Sequence, residues 1–199
     1  MPRILVVYAS SHGQTRKIAR ALADELRRAG HEVEIADALR AAPPPIADYD
    51  AVVLGSRVQF GVHARRLVEY LTDHRAELTT TPSYFFSVSM SAAGDTSPDP
   101  QGYLEKLFTA TRWRPRLAGV FAGALPYRDY HFLLRWIMKK ISQRGGHTTD
   151  TRRNHEYTDW RQVQRFAADL ARDLATQVTA APAVLRDAPA AEVAAPATA

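Results

Sequence analysis

A short polar loop near the amino terminus carries groups that suit a phosphate monoester. Residues 10–15 (SSHGQT) follow the apolar run 4–7 and precede a helical pattern. They offer hydroxyl groups and a glycine, Gly13, that lets backbone N–H groups approach a ligand, and the next helix adds the positive end of its dipole. The same residues also suit an ordinary helix start capped by Ser10 or Ser11. Phosphate binding and simple capping both stay open for this loop on its own.

Other phosphate-binding motifs are absent from the chain. The pattern G-x-x-x-x-G-K-[ST] does not occur, and no G-x-G-x-x-G follows the first apolar run. These absences exclude a P-loop nucleotide hydrolase and argue against a Rossmann dinucleotide site. The chain also has no cysteine, which excludes thiol nucleophiles and cysteine-bound zinc or iron–sulfur clusters. We predict no metal site, and a redox role would require a bound organic cofactor.

The elements that position the loop alternate between short apolar runs and amphipathic helical patterns. This alternation predicts an α/β fold with a doubly wound, five-stranded parallel sheet. The predicted strands are 3–9, 31–36, 51–55, 83–90 and 117–125. The predicted helices are 14–29, 63–75, 101–111 and 160–175. Doubly wound sheets bind ligands beyond the carboxyl ends of their strands, which is where residues 10–15 are expected to lie.

Several stretches of the chain resemble one family of flavin proteins. The loop at 10–15 is similar to the phosphate loop of flavodoxin-like proteins, with His12 where the family often has an acidic residue. More specifically, the chain resembles the flavodoxin-like, quinone-dependent protoporphyrinogen oxidase (dehydrogenase) family of bacteria over about residues 2–174. The stretches that carry this resemblance are HGQT at 12–15, YDAVVLGS at 49–56, FSV at 86–88, WRP at 113–115, AGAL at 122–125, TDTR at 149–152 and YTDW at 157–160.

The resemblance implies an FMN cofactor held by three loops at strand ends. One loop holds the phosphate and two hold the flavin ring, where backbone groups tune its chemistry. The implied cofactor contacts are Ser10, Ser11, His12, Gly13, Gln14, Thr15, Ser56, Arg57, Val58, Gln59, Phe60, Gly61, Ser87, Val88, Ser89, Met90, Ser91 and Gly94. Phe60 is the only aromatic residue of the second loop, so one face of the ring is expected to stay open to a flat substrate. No catalytic acid or base is identified.

The implied reaction is the oxidation of protoporphyrinogen IX to protoporphyrin IX in heme biosynthesis, with electrons passed to a membrane quinone (menaquinone or ubiquinone). Two alternatives stay open. One is a flavodoxin-type electron carrier, although carriers usually present an acidic face and this chain has a formal charge of +5. The other is a general FMN-dependent NAD(P)H:quinone reductase.

Most of the positive charge lies in one segment, which we expect beside the cofactor edge of the sheet. Residues 112–153 contain ten basic and two acidic side chains, so the remainder of the chain is slightly acidic. Within an insert at about 126–159, the run FLLRWIMKKI at 132–141 predicts a basic amphipathic helix. Such a helix is typical of a membrane interface, and arginine also suits the propionates of a porphyrinogen. The candidate contacts to an anionic membrane surface or to substrate carboxylates are Arg128, Arg135, Trp136, Lys139 and Lys140.

The remaining expectations concern location and domain organisation. The sequence shows no signal peptide and no run of about 18 apolar residues, so we expect a cytoplasmic protein peripherally associated with the inner face of the cell membrane. We expect no nucleic-acid partner, because the chain has no recognised nucleic-acid motif. Residues 1–175 are predicted to form one flavodoxin-like domain, and the alanine- and proline-rich residues 176–199 a disordered tail. The oligomeric state stays open.

Overall fold

Five parallel strands form the centre of the molecule. The computed structural model describes residues 1–93, 99–125 and 155–180. The parallel strands are β1 (Arg3–Ala9), β2 (Glu32–Asp37), β3 (Ala51–Gln59), β5 (Ser83–Ser89) and β6 (Leu117–Ala122). Their order is β2-β1-β3-β5-β6. This order confirms the predicted doubly wound sheet, with the reversal of winding between β1 and β3.

The described residues also contain three short strands, all paired antiparallel, and one of them joins the main sheet. The strand β4 (Val62–His63) pairs antiparallel with the end of β3. Two more, β7 (Ala124–Leu125) and β8 (His155–Glu156), form a separate antiparallel ribbon. The predicted strand 117–125 is therefore interrupted at Gly123. The Gly123 N–H donates a hydrogen bond to the carbonyl of Ser89, and the Gly123 carbonyl accepts one from the Tyr157 N–H.

The helices lie on both faces of the sheet. They are α1 (Gln14–Arg28), α2 (Arg65–Asp73), α3 (Arg75–Thr80), α4 (Pro100–Thr111) and α5 (Trp160–Ala180). The helix predicted at 63–75 begins two residues late because residues 62–63 pair with β3 instead. Helix α5 continues five residues past its predicted end at 175, so the start of the predicted tail is helical. The rest of that tail, 181–199, lies outside the described residues.

Strand β1 shows why the sheet is covered on both faces. Ile4 and Val6 belong to a core cluster with α1 and α5, whereas Leu5 and Val7 belong to a second cluster with α2 and α4. All four side chains are completely buried. Burial of a large aliphatic side chain contributes about 1.5–3 kcal/mol, so the unbroken apolar run is what makes β1 a central strand.

At the amino-terminal edge of the sheet, an ion pair and a hydrogen bond connect α5 to the strands. Asp173 of α5 accepts hydrogen bonds from Arg116 Nε at 2.6 Å and from the Tyr84 hydroxyl at 2.7 Å. Hydrogen bonding from the Arg116 guanidinium lowers the pKa of Asp173. Because Arg112, Arg114 and Arg116 precede β6, they lie at the edge opposite residues 10–15. The expectation that the whole basic segment lies beside the cofactor edge was wrong for these three residues.

Candidate cofactor-binding site

The loop after β1 forms a small polar cavity at the carboxyl edge of the sheet. Gly13 adopts a left-handed conformation with φ 90° and caps α1, and its N–H donates to Ser10 Oγ at 3.1 Å. The cavity has a volume of about 300 Å³. Its lining consists of Ser10, Ser11, His12, Gly13, Arg16, Asp37 and Arg40. Four of the six residues predicted to hold a phosphate are thus brought together in one concave site.

Three of the lining residues were missed by sequence reasoning. Arg16 lies in the first turn of α1. Asp37 ends β2, Arg40 follows it, and the two form an ion pair at 3.4 Å. Strand β2 is the neighbour of β1, so the segments after both strands meet at the same edge. The predicted doubly wound sheet contained part of this signal, because ligands bind beyond the carboxyl ends of the strands in such a sheet. Arg16 and the Arg40–Asp37 pair together leave these residues with a net positive charge, which favours an anion.

Gln14 and Thr15 do not line the cavity, although they were predicted among the phosphate contacts. Both side chains are buried. Gln14 Nε2 donates to Thr158 Oγ1 at 2.8 Å, and Thr158 donates in turn to the carbonyl of Ala122 at 2.7 Å. The Gln14–Thr158 hydrogen bond connects the start of α1 to the segment before α5 and so holds the loop in place.

The second predicted loop is a β-hairpin. Strand β3 continues to Gln59 and pairs with β4, and a two-residue turn of Phe60 and Gly61 connects them. Both turn residues have positive φ angles, 52° and 80°, which matches a tight hairpin between twisted strands. Sequence reasoning missed the hairpin because phenylalanine is an unusual residue at such a position. The Phe60 side chain is 73% exposed.

Arg57 joins the hairpin to the loop after β1. Its Nε donates to Ser11 Oγ at 2.8 Å and its Nη1 donates to Gln59 Oε1 at 2.6 Å. At the base of the hairpin, Ser56 Oγ accepts the Ala64 N–H at 3.0 Å. The first two predicted loops therefore form one connected structure.

His63 lies inside the base of the hairpin. Its Nε2 is 3.1 Å from Ser87 Oγ, and its ring packs edge-on against Phe85. Burial lowers the pKa of His63 to about 4. The ring is therefore neutral at pH 7 and positions the hairpin against β5.

We expect His63 to make the protein less stable as the pH falls from about 6.5 to 4. The unfolded chain takes up a proton near pH 6.5, whereas the folded chain takes it up only near pH 4, so the free energy of unfolding decreases between these values. Uptake of one proton changes the free energy of unfolding by at most about 1.4 kcal/mol per pH unit. Urea titrations across this range should show a shallower pH slope for His63→Gln. The partly exposed His74→Gln is the control, and equal slopes for His63→Gln and wild type would contradict the expectation.

The end of β5 supplies the third predicted group. Val88 packs in the core and the Ser87 hydroxyl contacts His63, so these side chains serve the framework. Ser89 Oγ is buried and has no hydrogen-bond partner among the described residues. A buried hydroxyl without a partner costs about 1–3 kcal/mol, which a bound polar ligand would offset.

Beyond Ser89 the chain turns towards α4. Met90 is half-buried, and Ser91 Oγ lies 3.4 Å from the Tyr103 hydroxyl. Gly94 lies outside the described residues, as do all five candidate contacts of the insert: Arg128, Arg135, Trp136, Lys139 and Lys140. Among residues 1–93, 99–125 and 155–180, no helix is long and apolar enough to cross a membrane.

The fold and this site define a flavodoxin-type protein. The model of the flavodoxin domain matches residues 5–152, and the chain belongs to that family. Protoporphyrinogen IX dehydrogenase [quinone] of Escherichia coli K12 is 36% identical over 171 residues, which cover 85% of this chain and 94% of that protein. The protein of the same name from Leishmania major is 36% identical over 176 residues, covering 85% and 75%. An NAD(P)H dehydrogenase (quinone) of Brucella anthropi is 26% identical over 147 residues, covering 64% and 72%.

Solved structures show the same fold at low sequence identity. A short-chain flavodoxin associated with a bacterial microcompartment has a TM-score of 0.55 and 15% identity, covering 87% of this chain and 99% of that chain. Rubredoxin oxygen:oxidoreductase from Desulfovibrio gigas has a TM-score of 0.55 and 16% identity, covering 88% and 37%.

The flavodoxin fold implies FMN, and the residues present fit this cofactor. Hydroxyls, Gly13 and two arginines, one of them paired with Asp37, surround the cavity after β1. Their net positive charge suits a phosphate monoester. The hairpin and the end of β5 lie at the same sheet edge, where Ser89 offers a buried hydroxyl with no described partner. These two groups of residues suit the phosphate and the ring of one ligand.

Proposed function

We propose that this chain is an FMN enzyme that oxidises protoporphyrinogen IX to protoporphyrin IX and passes the electrons to a quinone. The observation that carries the proposal is the 36% identity over 85% of the chain to dehydrogenases named for this substrate and acceptor. The cavity after β1 and the hairpin beside it support it, because they suit the cofactor that such a reaction needs.

The chain's own residues act by holding and orienting. When bound, FMN would supply the two-electron chemistry, used three times for each substrate because the porphyrinogen loses three pairs of electrons and hydrogens and three quinone molecules take them up. Gly13, Ser10 and Arg16 would hold its phosphate, and Ser89 would offer a hydrogen bond near the ring. Neither 56–64 nor 86–93 contains a carboxylate, and His63 is buried and neutral. The chain's contribution at the ring is therefore positional and electrostatic, with no side chain assigned to proton transfer.

The basic insert supplies the proposed contacts to the substrate and to the membrane. Guanidinium groups bind carboxylates through two parallel hydrogen bonds, so Arg128 or Arg135 would suit a propionate of the substrate. The same arginines, with Trp136, Lys139 and Lys140, would also suit an anionic lipid surface at the inner face of the cell membrane. That location brings the enzyme to a membrane quinone.

Porphyrin fluorescence tests the proposal directly. Purified protein loaded with FMN is mixed with protoporphyrinogen IX and a water-soluble quinone under anaerobic conditions, and we expect porphyrin fluorescence to rise only when the quinone is present. If the fluorescence does not rise, the proposal is wrong. Rapid quinone-dependent consumption of NADPH would instead favour the activity for which the Brucella relative is named. One-electron exchange with a reductase, without porphyrin formation, would favour an electron carrier.

We predict that charge removal in the insert weakens membrane binding. Replacing Arg135, Lys139 and Lys140 together by serine removes three positive charges, each contributing about 1 kcal/mol near an anionic bilayer. Cosedimentation with vesicles containing phosphatidylglycerol should show weaker binding, and the difference should shrink at high salt because screening already weakens the wild type. Unchanged binding would show that the insert does not contact lipid.

A further inference from the structure

The hairpin beside the cofactor cavity exposes apolar side chains. Phe60 is 73% exposed and Val62 is 65% exposed. Only five large apolar side chains are exposed in the part of the chain that the structure describes, and Phe60 and Val62 are two of them. Such a concentration at one tip indicates a contact surface rather than the scattered exposure found on any protein.

The turn of the hairpin holds its aromatic residue under strain. Phe60 has a φ of 52°, a region that glycine and asparagine occupy readily and bulky residues rarely do. A residue that stays strained and exposed does not gain from packing within its own chain. Strain of this kind clusters at functional positions, which indicates that the tip is used outside the fold.

Basic side chains outnumber acidic ones beside this tip. Between 56 and 69 the sequence has three arginines and one carboxylate, Glu69, whose Oε1 lies 2.7 Å from Arg65 Nε. Arg65 and Arg66 are exposed and open helix α2, whose first turn contains no acidic residue. Positive side chains at a helix amino terminus oppose the helix dipole. Glu69 offsets the charge of Arg65, so Arg66 carries the charge that an anionic surface outside the chain would stabilise.

We propose that the hairpin tip, defined as Phe60, Val62, Arg65 and Arg66, docks on an anionic lipid bilayer. Exposed apolar side chains beside arginines match what interfacial lipid binding requires. The proposal rests on the proposed function only in that a membrane quinone gives the docking its purpose.

Docking at the tip would present the cofactor edge to the bilayer. Arg57 links the hairpin to the loop after β1. On the other side of the hairpin, Gly61 lies close to the Tyr103 ring, which is 3.7 Å from the position that a Cβ on Gly61 would occupy. The Tyr103 hydroxyl is near Ser91. The tip therefore belongs to the same sheet edge as the phosphate cavity and the end of β5. A bilayer quinone would reach this edge without leaving the membrane surface.

Vesicle partitioning of the full-length, FMN-loaded protein tests the docking. The double variant Val62→Ser, Arg66→Ser removes one apolar side chain and one charge and leaves the predicted cofactor contact Phe60 in place. The control is Arg75→Ser, an exposed arginine at the start of α3, which leads to the amino-terminal end of β5. The vesicles consist of phosphatidylcholine with phosphatidylglycerol, and vesicles of phosphatidylcholine alone provide the neutral comparison.

We expect the double variant to partition at least about tenfold more weakly onto the anionic vesicles, and the control to bind like wild type. Equal partitioning of the double variant and wild type would overturn the proposal, as would equal binding to neutral vesicles. A loss confined to the Arg135, Lys139, Lys140 variant would assign lipid contact to the insert instead. A thermal unfolding transition like that of wild type is the check that the double variant is folded.

Turnover separates this inference from the proposed function. With a water-soluble quinone, the double variant should form porphyrin at the wild-type rate. With a long-chain quinone embedded in the anionic vesicles, it should be slower by about the loss in partitioning. If wild type forms no porphyrin with either quinone, the proposed function fails, while the partitioning result still decides the docking. Equal rates with the embedded quinone, despite weaker partitioning, would overturn the role of docking in quinone access.

Discussion

Replacing Gly55 with alanine will destabilise the protein by about 3 kcal/mol, the upper part of the range for overpacked cores. A Cβ at this position would lie 2.0 Å from Phe86 Cζ and 2.3 Å from Phe86 Cε1. The Phe86 ring is fully buried and packs against Phe121 with ring centres 6.1 Å apart, so it has no space to move. Urea unfolding at pH 7 measures the change.

Gly102→Ala is the matched control for this prediction. Gly102 lies within α4, and a Cβ there would meet nothing within 4 Å. Alanine favours helix over glycine by about 1 kcal/mol, so this variant should be slightly more stable than wild type. The same chemical change thus has opposite signs at the two positions. A small effect at Gly55 would mean that the β3–β5 interface repacks more freely than its buried rings allow.

Replacing Gly13 with alanine will weaken FMN binding at least about tenfold. The φ of 90° at Gly13 is a conformation that costs an L-residue about 1–2 kcal/mol. Relief of this strain would turn the Gly13 N–H away from its present direction and reshape the cavity formed with Ser10 and Arg16. Quenching of FMN fluorescence on titration with apoprotein measures the affinity.

Gly30→Ala controls for backbone strain alone. Gly30 has a φ of 91°, nearly the same as Gly13, and follows the other end of α1, away from the cavity. Its alanine variant should lose similar stability and bind FMN like wild type. If both variants bound FMN equally well, the loop after β1 would not be the phosphate site. If both lost affinity equally, the effect at Gly13 would reflect general destabilisation.

Local pattern was sufficient for most of the secondary structure. The run of apolar residues in β1 and the periodicity of α1 place both elements within a residue or two of their observed bounds. The hairpin was not predictable in this way because Phe60 in a left-handed turn contradicts residue preference. There the pairing of β3 with β4 outweighs the local cost.

Site residues close in sequence were easier to predict than those brought in by the fold. Ser10 and Gly13 share one strand-to-helix connection, so local chemistry identified them. Arg40 and Thr158 were missed because they reach the site from β2 and from the segment before α5. Gln14 was predicted as a ligand contact, and only the position of Thr158 shows that its side chain is used within the protein.

The sequence by itself determined the class of fold, the likeness to flavin-dependent dehydrogenases and the loop that suits a phosphate. These follow from periodicity and local motifs, which depend on neighbouring residues. Only the tertiary structure decided that His63 is buried, that Ser89 lacks a described partner and that the arginines before β6 lie at the opposite edge. Burial, pairing and strand order depend on residues far apart in the chain, and these become neighbours only when the sheet assembles.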